Sequence, residues 1–145
     1  MASLPSRPPL PDVAVDTSAI IALLFDESGA DAIARVLDRA RSAVMSAATL
    51  TELFIVAEAR RGQTAAEQAS VVLERAMVDI IPVDQHTSQL AHSAFRRFGK
   101  GRHRAALNFG DCFAYALAAH FELPLLCVGD DFPHTDIAVV DLAAA

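Results

Sequence analysis

The spacing of apolar residues divides the chain into short apolar runs, typical of buried strands, and longer amphipathic segments, typical of helices. Apolar runs with the length of strands fall at residues 13–15, 43–46, 79–83, 125–128 and 137–140. Between them, apolar positions recur at helical spacing over 19–24, 30–41, 49–61, 64–78, 85–98 and 112–121. Alternating strands and helices predict one α/β domain, a sandwich around a mainly parallel central sheet of about five short strands.

Polar residues at the ends of these segments predict where the helices begin and stop. Ser18 is placed to cap the first helix and Asp84 to cap the fifth. Residues 49–52, Thr-Leu-Thr-Glu, have the form of a capping box, so we expect the third helix to begin there. Gly62 is expected to end that helix.

Composition is that of a chain with a sizeable core. Of its 145 residues 53% are hydrophobic, and no apolar run approaches the roughly 18 residues of a membrane span, so we expect no membrane association. Residues 1–12 form a leader, expected to be disordered, whose prolines and lack of an apolar stretch exclude a signal peptide. Cys112 and Cys127 lie inside apolar runs, as small buried residues do, which favours a reducing cytoplasm.

Charge is distributed unevenly. The net charge of −6 argues against a protein that coats nucleic acid electrostatically. Yet five of the 12 Lys and Arg residues fall between positions 96 and 104, next to His103. They are Arg96, Arg97, Lys100, Arg102 and Arg104. The sequence therefore places one basic loop in an acidic protein.

Acidic residues follow the predicted strands. Asp16 ends the first strand, Glu52 lies early in the helix after the second, and Asp111 opens an apolar helix. Asp130 and Asp131 come directly after the strand at 125–128. Any one of them is equally well explained as a helix cap or turn former. Because the carboxyl ends of parallel strands meet at one edge of a sheet, we expect the whole set to gather there.

Such a cluster needs a cation. Two like charges about 4 Å apart repel by about 4 kcal/mol at an effective dielectric constant of about 20. Mg²⁺ or Mn²⁺ suits oxygen ligands and supports phosphodiester hydrolysis. The five histidines have no zinc-type spacing, and the sequence lacks the usual motifs of nucleophilic catalysis and nucleotide binding. Metal-assisted phosphodiester hydrolysis is the chemistry that this pattern favours.

Four motifs in order resemble the PIN-domain ribonuclease toxins of the VapC type, the toxin halves of type II toxin–antitoxin pairs. They are Val-Asp-Thr-Ser-Ala at 15–19, Thr-Glu at 51–52, Gly-Asp-Cys-Phe-Ala-Tyr-Ala-Leu-Ala at 110–118, and Gly-Asp-Asp-Phe at 129–132 followed by Thr-Asp-Ile at 135–137. The resemblance runs from about Val13 to the C-terminus. Similar chains begin almost directly at the first strand, so the leader is a departure.

The resemblance implies a PIN-like α/β/α sandwich over residues 13–145 and a Mg²⁺- or Mn²⁺-dependent endoribonuclease that acts on RNA. It implies a homodimer neutralised by a VapB-type antitoxin whose C-terminal segment covers the active site. The acids carried over are Asp16, Glu52, Asp111 and Asp131, as catalytic residues and metal ligands, with Asp130 as the alternative fourth acid. Thr17 and Ser18 would orient the metal-ligating carboxylates without binding the metal themselves, and Asn108 would do the same beside Asp111.

The basic loop has two readings of equal weight. Lys100, Arg102, His103 and Arg104 lie shortly before Asp111 and would hold RNA phosphates near the acids. Alternatively, the loop serves solubility or an acidic segment of the antitoxin. A dimer is further suggested by the apolar residues Leu50, Leu53, Phe54 and Val56 in one helix.

Two other functions fit parts of the sequence. A phosphohydrolase or phospho-acceptor domain would use Asp16 itself as the acceptor. Such domains carry a second Asp two residues later or a late Lys, whereas here Ser18 stands in that place and Lys100 is the only lysine. A non-catalytic PIN-like binding module is the third hypothesis, and the full set of acids argues against it.

Overall fold

The computed structural model describes residues 12–145, and most of the predicted leader lies outside the described residues. Asp12, its last residue, is tied to the chain before the second strand. Its amide donates to the Ser42 carbonyl over 2.9 Å, and its carboxylate accepts hydrogen bonds from the amides of Arg41 and Ser42 over 2.9 and 3.3 Å.

Strands and helices alternate through the described chain. The strands are β1 (Val13–Val15), β2 (Ala43–Ser46), β3 (Val78–Ile81) and β4 (Leu125–Leu126). The helices are α1 (Thr17–Leu24), α2 (Ala30–Arg39), α3 (Ala47–Arg61), α4 (Gln63–Arg75), α5 (Gln85–Phe98) and α6 (Phe109–Phe121). Short 3₁₀ turns follow at Phe132–His134 and Leu142–Ala144. The predicted order of strands and helices is confirmed.

The strands form one parallel sheet in the order β3-β2-β1-β4. Successive residues of a strand point to opposite faces, so each central strand feeds two cores. In β1, Val13 and Val15 join a core with residues of α1 to α4, while Ala14 joins a second core with α5 and α6. The chain is therefore a three-layer α/β/α sandwich, as the resemblance implied.

The fifth strand that the sequence predicted at 137–140 is reduced to one bridge. Val139 pairs in parallel with Leu125, flanked by hydrogen bonds from the Leu125 amide to the Ala138 carbonyl and from the Val140 amide to the Leu125 carbonyl. Asp141 then caps the final 3₁₀ turn through its side chain, which ends the extended segment. The sheet thus has four strands where the pattern indicated about five.

Helix starts show where local sequence rules succeed and fail. Asp84 caps α5 and Gly62 ends α3, as predicted. The predicted capping box at 49–52 is wrong, because Ser46 caps α3 and Thr49 lies fully buried one turn inside it. Ser18 does not cap α1 either; Asp16 does. Ser46 is the last residue of β2 and Asp16 directly follows β1, so in both cases the helix begins without a linker after the strand.

The core holds both cysteines, Cys112 and Cys127, as free buried thiols, which confirms their predicted environment. Leu53 is buried in the core of its own chain, and Leu50, Phe54 and Val56 are half-buried against that core, so the dimer stays a prediction. Among residues 12–145, no helix combines the length and the apolar character needed to cross a bilayer.

Candidate active site

Asp16 stands at the centre of the edge where the strands end. It follows β1 directly and is only 4% exposed. Its Oδ2 accepts hydrogen bonds from the amide of Ser18 over 3.0 Å and from the Ser18 hydroxyl over 2.7 Å. Its buried Oδ1 has no hydrogen-bond partner within residues 12–145. Burial, with a smaller contribution from the charge of Glu52, raises the pKa of this carboxyl.

Glu52 reaches the same edge from α3. The hydroxyl of Thr17 donates to its Oε1 over 2.6 Å and so joins the start of α1 to α3. The other oxygen, Oε2, lies against Gly110 at the start of α6, so closely that a Cβ there would stand 1.9 Å from it. Only glycine at position 110 leaves room for this carboxylate.

Asp111 enters the site through the cap of α6. The amide of Asn108 donates to Asp111 Oδ2 over 3.0 Å, and the amide of Asp111 donates to Asn108 Oδ1 over 2.9 Å. Burial raises the pKa of Asp111 to about 6, against the hydrogen bond from Asn108, which lowers it. The negative charges of Asp16, Glu52 and Asp131 raise it further. Asp111 therefore lies within electrostatic range of the other three acids.

Asp130 and Asp131 lie exposed in the turn after β4. Gly129 opens this turn with φ of 108°, a conformation that side chains disfavour. Ser18 fastens the turn to the site, because its hydroxyl accepts a hydrogen bond from the Val128 amide over 2.9 Å while donating to Asp16. Asp131 is one of the charges that raise the pKa of Asp111.

No basic side chain among residues 12–145 forms an ion pair with these acids. The two ion pairs found among residues 12–145 join Arg60 to Glu27 and Arg97 to Asp136, and neither touches Asp16, Glu52, Asp111 or Asp131. In the same part of the chain, no three Asp, Glu, His or Cys side chains lie in an arrangement that could hold a metal ion as they stand. The acids are held instead by hydroxyl and amide donors, through one oxygen each for Asp16, Glu52 and Asp111.

A divalent cation fits this donor set. Carboxylate oxygens are the ligands of hard cations such as Mg²⁺ and Mn²⁺. The buried Oδ1 of Asp16, which has no hydrogen-bond partner within residues 12–145, is the first candidate to bind such a cation. An unpaired buried carboxylate oxygen is otherwise costly.

The basic loop lies between α5 and α6. The Lys100 amide donates to the Leu107 carbonyl and the Leu107 amide to the Phe98 carbonyl, which closes the loop at its base. Lys100, Arg102 and Arg104 are exposed, whereas His103 is half-buried. The His103 Nδ1 accepts from the Ala105 amide over 3.0 Å and its ring packs edge-on against Phe98, so this histidine also has a role in shaping the loop.

Two features of this region were not predicted from the sequence. The first is the contact of Gly110 with Glu52, for which the Gly-Asp pair was the available signal. The second is a network in which Asp136 accepts hydrogen bonds from the Tyr115 hydroxyl over 2.5 Å and from Arg97 over 2.8 Å. Its three members lie far apart in sequence, and nothing in their spacing pairs them.

Comparison with known proteins identifies the family of this chain. The sequence profile of the PIN domain matches residues 13–138. The chain is 44% identical to ribonuclease VapC30 of Mycobacterium tuberculosis over 88% of its own length and 98% of that protein. This chain belongs to the PIN domain family and, within it, to the VapC ribonucleases. Ribonuclease VapC36 of the same organism is 48% identical, with 85% of this chain and 89% of that protein covered.

Solved structures support the fold of this VapC family member. The M. tuberculosis toxin VapC20, described as cleaving the sarcin–ricin loop, superposes with a TM-score of 0.74 at 19% identity, covering 89% of this chain and 98% of that one. The toxin–antitoxin assembly VapBC-5 of M. tuberculosis matches with a TM-score of 0.59 at 25% identity, covering 91% of this chain and 100% of that one.

Proposed function

We propose that this protein is a divalent-cation-dependent endoribonuclease and the toxin of a type II toxin–antitoxin pair. The observation that carries the proposal is the set of mutually repelling acids at the sheet edge, with the buried, partnerless Oδ1 of Asp16 among them. Membership of the VapC ribonucleases supports RNA as the substrate.

Asp16, Glu52, Asp111 and Asp131 would hold Mg²⁺ or Mn²⁺. Such an ion, when bound, would neutralise charge on the phosphate oxygens and lower the pKa of the attacking water. Thr17 fixes Glu52, Ser18 fixes Asp16 and the turn that bears Asp131, and Asn108 fixes Asp111. We favour Asp131 over Asp130 as the fourth acid because its charge acts on Asp111. The burial of Asp16 favours a ligand over a phospho-acceptor.

Lys100, Arg102 and Arg104 would hold phosphates of the RNA beside the acids, with His103 as a further candidate. A VapB-type antitoxin is the proposed protein partner, since related folds occur in toxin–antitoxin complexes such as VapBC-1 of Haemophilus influenzae. A homodimer and a cytoplasmic location remain predictions from the family resemblance and the reduced cysteines.

Cleavage of total bacterial RNA by the purified protein tests the proposal. We expect new RNA ends in the presence of Mg²⁺ or Mn²⁺, no cleavage in EDTA, and recovery when the ion is restored. Asp16→Asn is the control for a contaminating nuclease, because it keeps the size of the side chain and removes its charge. Equal cleavage by the wild type and Asp16→Asn would contradict the site assignment.

A further inference from the structure

Phe109 is a large apolar residue left almost entirely in solvent. It opens α6, two positions before Asp111, and is 79% exposed. Its ring meets Phe113 edge-on with centroids 5.0 Å apart, and this contact leaves most of it uncovered. Burying a phenylalanine stabilises a protein by about 1.5–3 kcal/mol, so an exposed ring at the rim of an active site calls for a ligand.

The ring of Phe109 separates two concave surfaces. On one side lies a groove shared with Glu52, Gly110 and Ile55. On the other side, between α5 and α6, lies a cleft of about 420 Å³ lined by Ser88, His92, Phe95, Phe109 and Phe113, with Ala91 and Cys112 at its base. A ligand that crosses Phe109 therefore reaches from the acids into the cleft.

The far wall of the cleft carries positive charge. The Arg102 guanidinium lies 5.7 Å from the centre of the Phe95 ring, within the range of a cation–π contact. An aromatic surface with a cation at its rim suits single-stranded nucleic acid, in which every flat base is attached to a phosphate.

Two exposed polar side chains lie at the rim of this largely apolar cleft. Ser88 and His92 are four residues apart on α5, and both line the cleft. The edge of a nucleobase offers donors and acceptors to both.

We propose that Phe109 and this cleft form a subsite for an unpaired nucleobase of the substrate, next to the acids that act on its phosphate. The proposal rests on the proposed ribonuclease function. It makes Phe109 a stacking residue, with Ser88 and His92 as the groups that contact the edge of the base. It restricts the substrate to RNA that is single-stranded at the site of cleavage.

A unique fluorophore tests the proposal without cleavage. The chain contains no tryptophan, so Phe109→Trp places a single indole at the subsite. In EDTA, a short single-stranded RNA should quench its emission, whereas an abasic strand with the same number of phosphates should not. Phe25→Trp is the matched control, because Phe25 also lies under two arginines, Arg60 and Arg61, but belongs to neither concave surface.

Affinity gives an independent measurement. Phe109→Leu keeps an apolar side chain and removes the aromatic face, so binding of the single-stranded RNA in EDTA should weaken roughly 5- to 100-fold. Phe25→Leu should bind as the wild type does. Equal affinity of Phe109→Leu and the wild type would overturn the proposal.

The two proposals fail in different ways. If the wild-type protein cleaves RNA but the single-stranded oligonucleotide leaves the emission of Phe109→Trp unchanged, the subsite alone is refuted. A wild-type protein that binds the oligonucleotide through Phe109 but cleaves no RNA in Mn²⁺ would refute the ribonuclease function and keep the subsite.

Discussion

Helix α6 contributes to two sites that contain carboxylates. In one, Asp111 lies near other acids, and in the other, Asp136 is paired with Arg97. Near its start, the burial of Asp111 and the charges around it raise its pKa to about 6. One turn further along, Tyr115 donates to Asp136, which Arg97 also contacts over 2.8 Å, and these hydrogen bonds lower the pKa of Asp136. Within residues 12–145, Arg97 pairs with Asp136, whereas Asp111 has no basic partner. We therefore assign Asp136 to the stability of the fold and propose Asp111 as a cation ligand.

Removing a charge from each site should affect catalysis very differently. Asp111→Asn should lower the rate of RNA cleavage by about 10³-fold or more, since losing a carboxylate ligand removes several kcal/mol of transition-state stabilisation. Asp136→Asn should keep most of its rate when equal amounts of folded protein are compared. The rate of cleavage of one RNA at saturating Mn²⁺ measures both effects. A similar loss of rate in both variants would show that Asp111 and Asp136 do not differ in their role in catalysis.

A methyl group at the start of α6 should disturb the acids without disturbing the fold. In Gly110→Ala the new Cβ would stand 1.9 Å from Glu52 Oε2, so the Glu52 carboxylate must move aside. Displacement of a catalytic group by about 1 Å costs on the order of 100-fold in rate. Alanine favours the helix, so the melting temperature should hold or rise. A fully active Gly110→Ala would show that the position of Glu52 is unimportant.

The second site should matter for stability. Asp136→Asn removes the charged acceptor of Tyr115 and Arg97 and should lower the free energy of unfolding by about 1–2 kcal/mol, a modest loss because the Asp136 side chain is 52% exposed. Urea denaturation of metal-free protein measures it. Asp111→Asn should have the opposite sign in the same assay, because it removes an unfavourable charge. Destabilisation by both variants would refute the comparison.

The smallest expected effect is a pH dependence of metal-free stability. Because the folded protein raises the pKa of Asp111 from 3.8 to about 6, it binds more protons than the unfolded chain between these values. The free energy of unfolding should therefore fall as pH rises from about 4 to about 6, by about 1 kcal/mol after allowance for solvent screening. Urea titrations in EDTA measure the slope, which should be shallower in Asp111→Asn. An unchanged slope would mean that Asp111 titrates normally.

The sequence reading recovered the parts of this molecule that local patterns control. Strand order along the chain, the Asp84 cap and the Gly62 stop all followed from period and placement. It misplaced the α3 cap because Thr49 satisfies a local rule while tertiary packing buries it. Sheet pairing reduced the fifth strand to Val139, which no local pattern reports.

Long-range contacts were beyond the sequence for a physical reason. The bond between Ser18 and the Val128 amide, and the network of Arg97, Tyr115 and Asp136, join residues that only the folded chain brings together. Their side chains are ordinary polar residues whose spacing carries no period.

Binding of Mn²⁺ to the metal-free protein tests the central claim most directly. In calorimetric titrations the wild type and Asp136→Asn should bind the ion with equal affinity, whereas Asp16→Asn and Asp111→Asn should lose at least about tenfold, or about 1.4 kcal/mol. Failure of the folded wild type to bind, or equal binding by Asp111→Asn, would contradict the account of the acid cluster as a cation site.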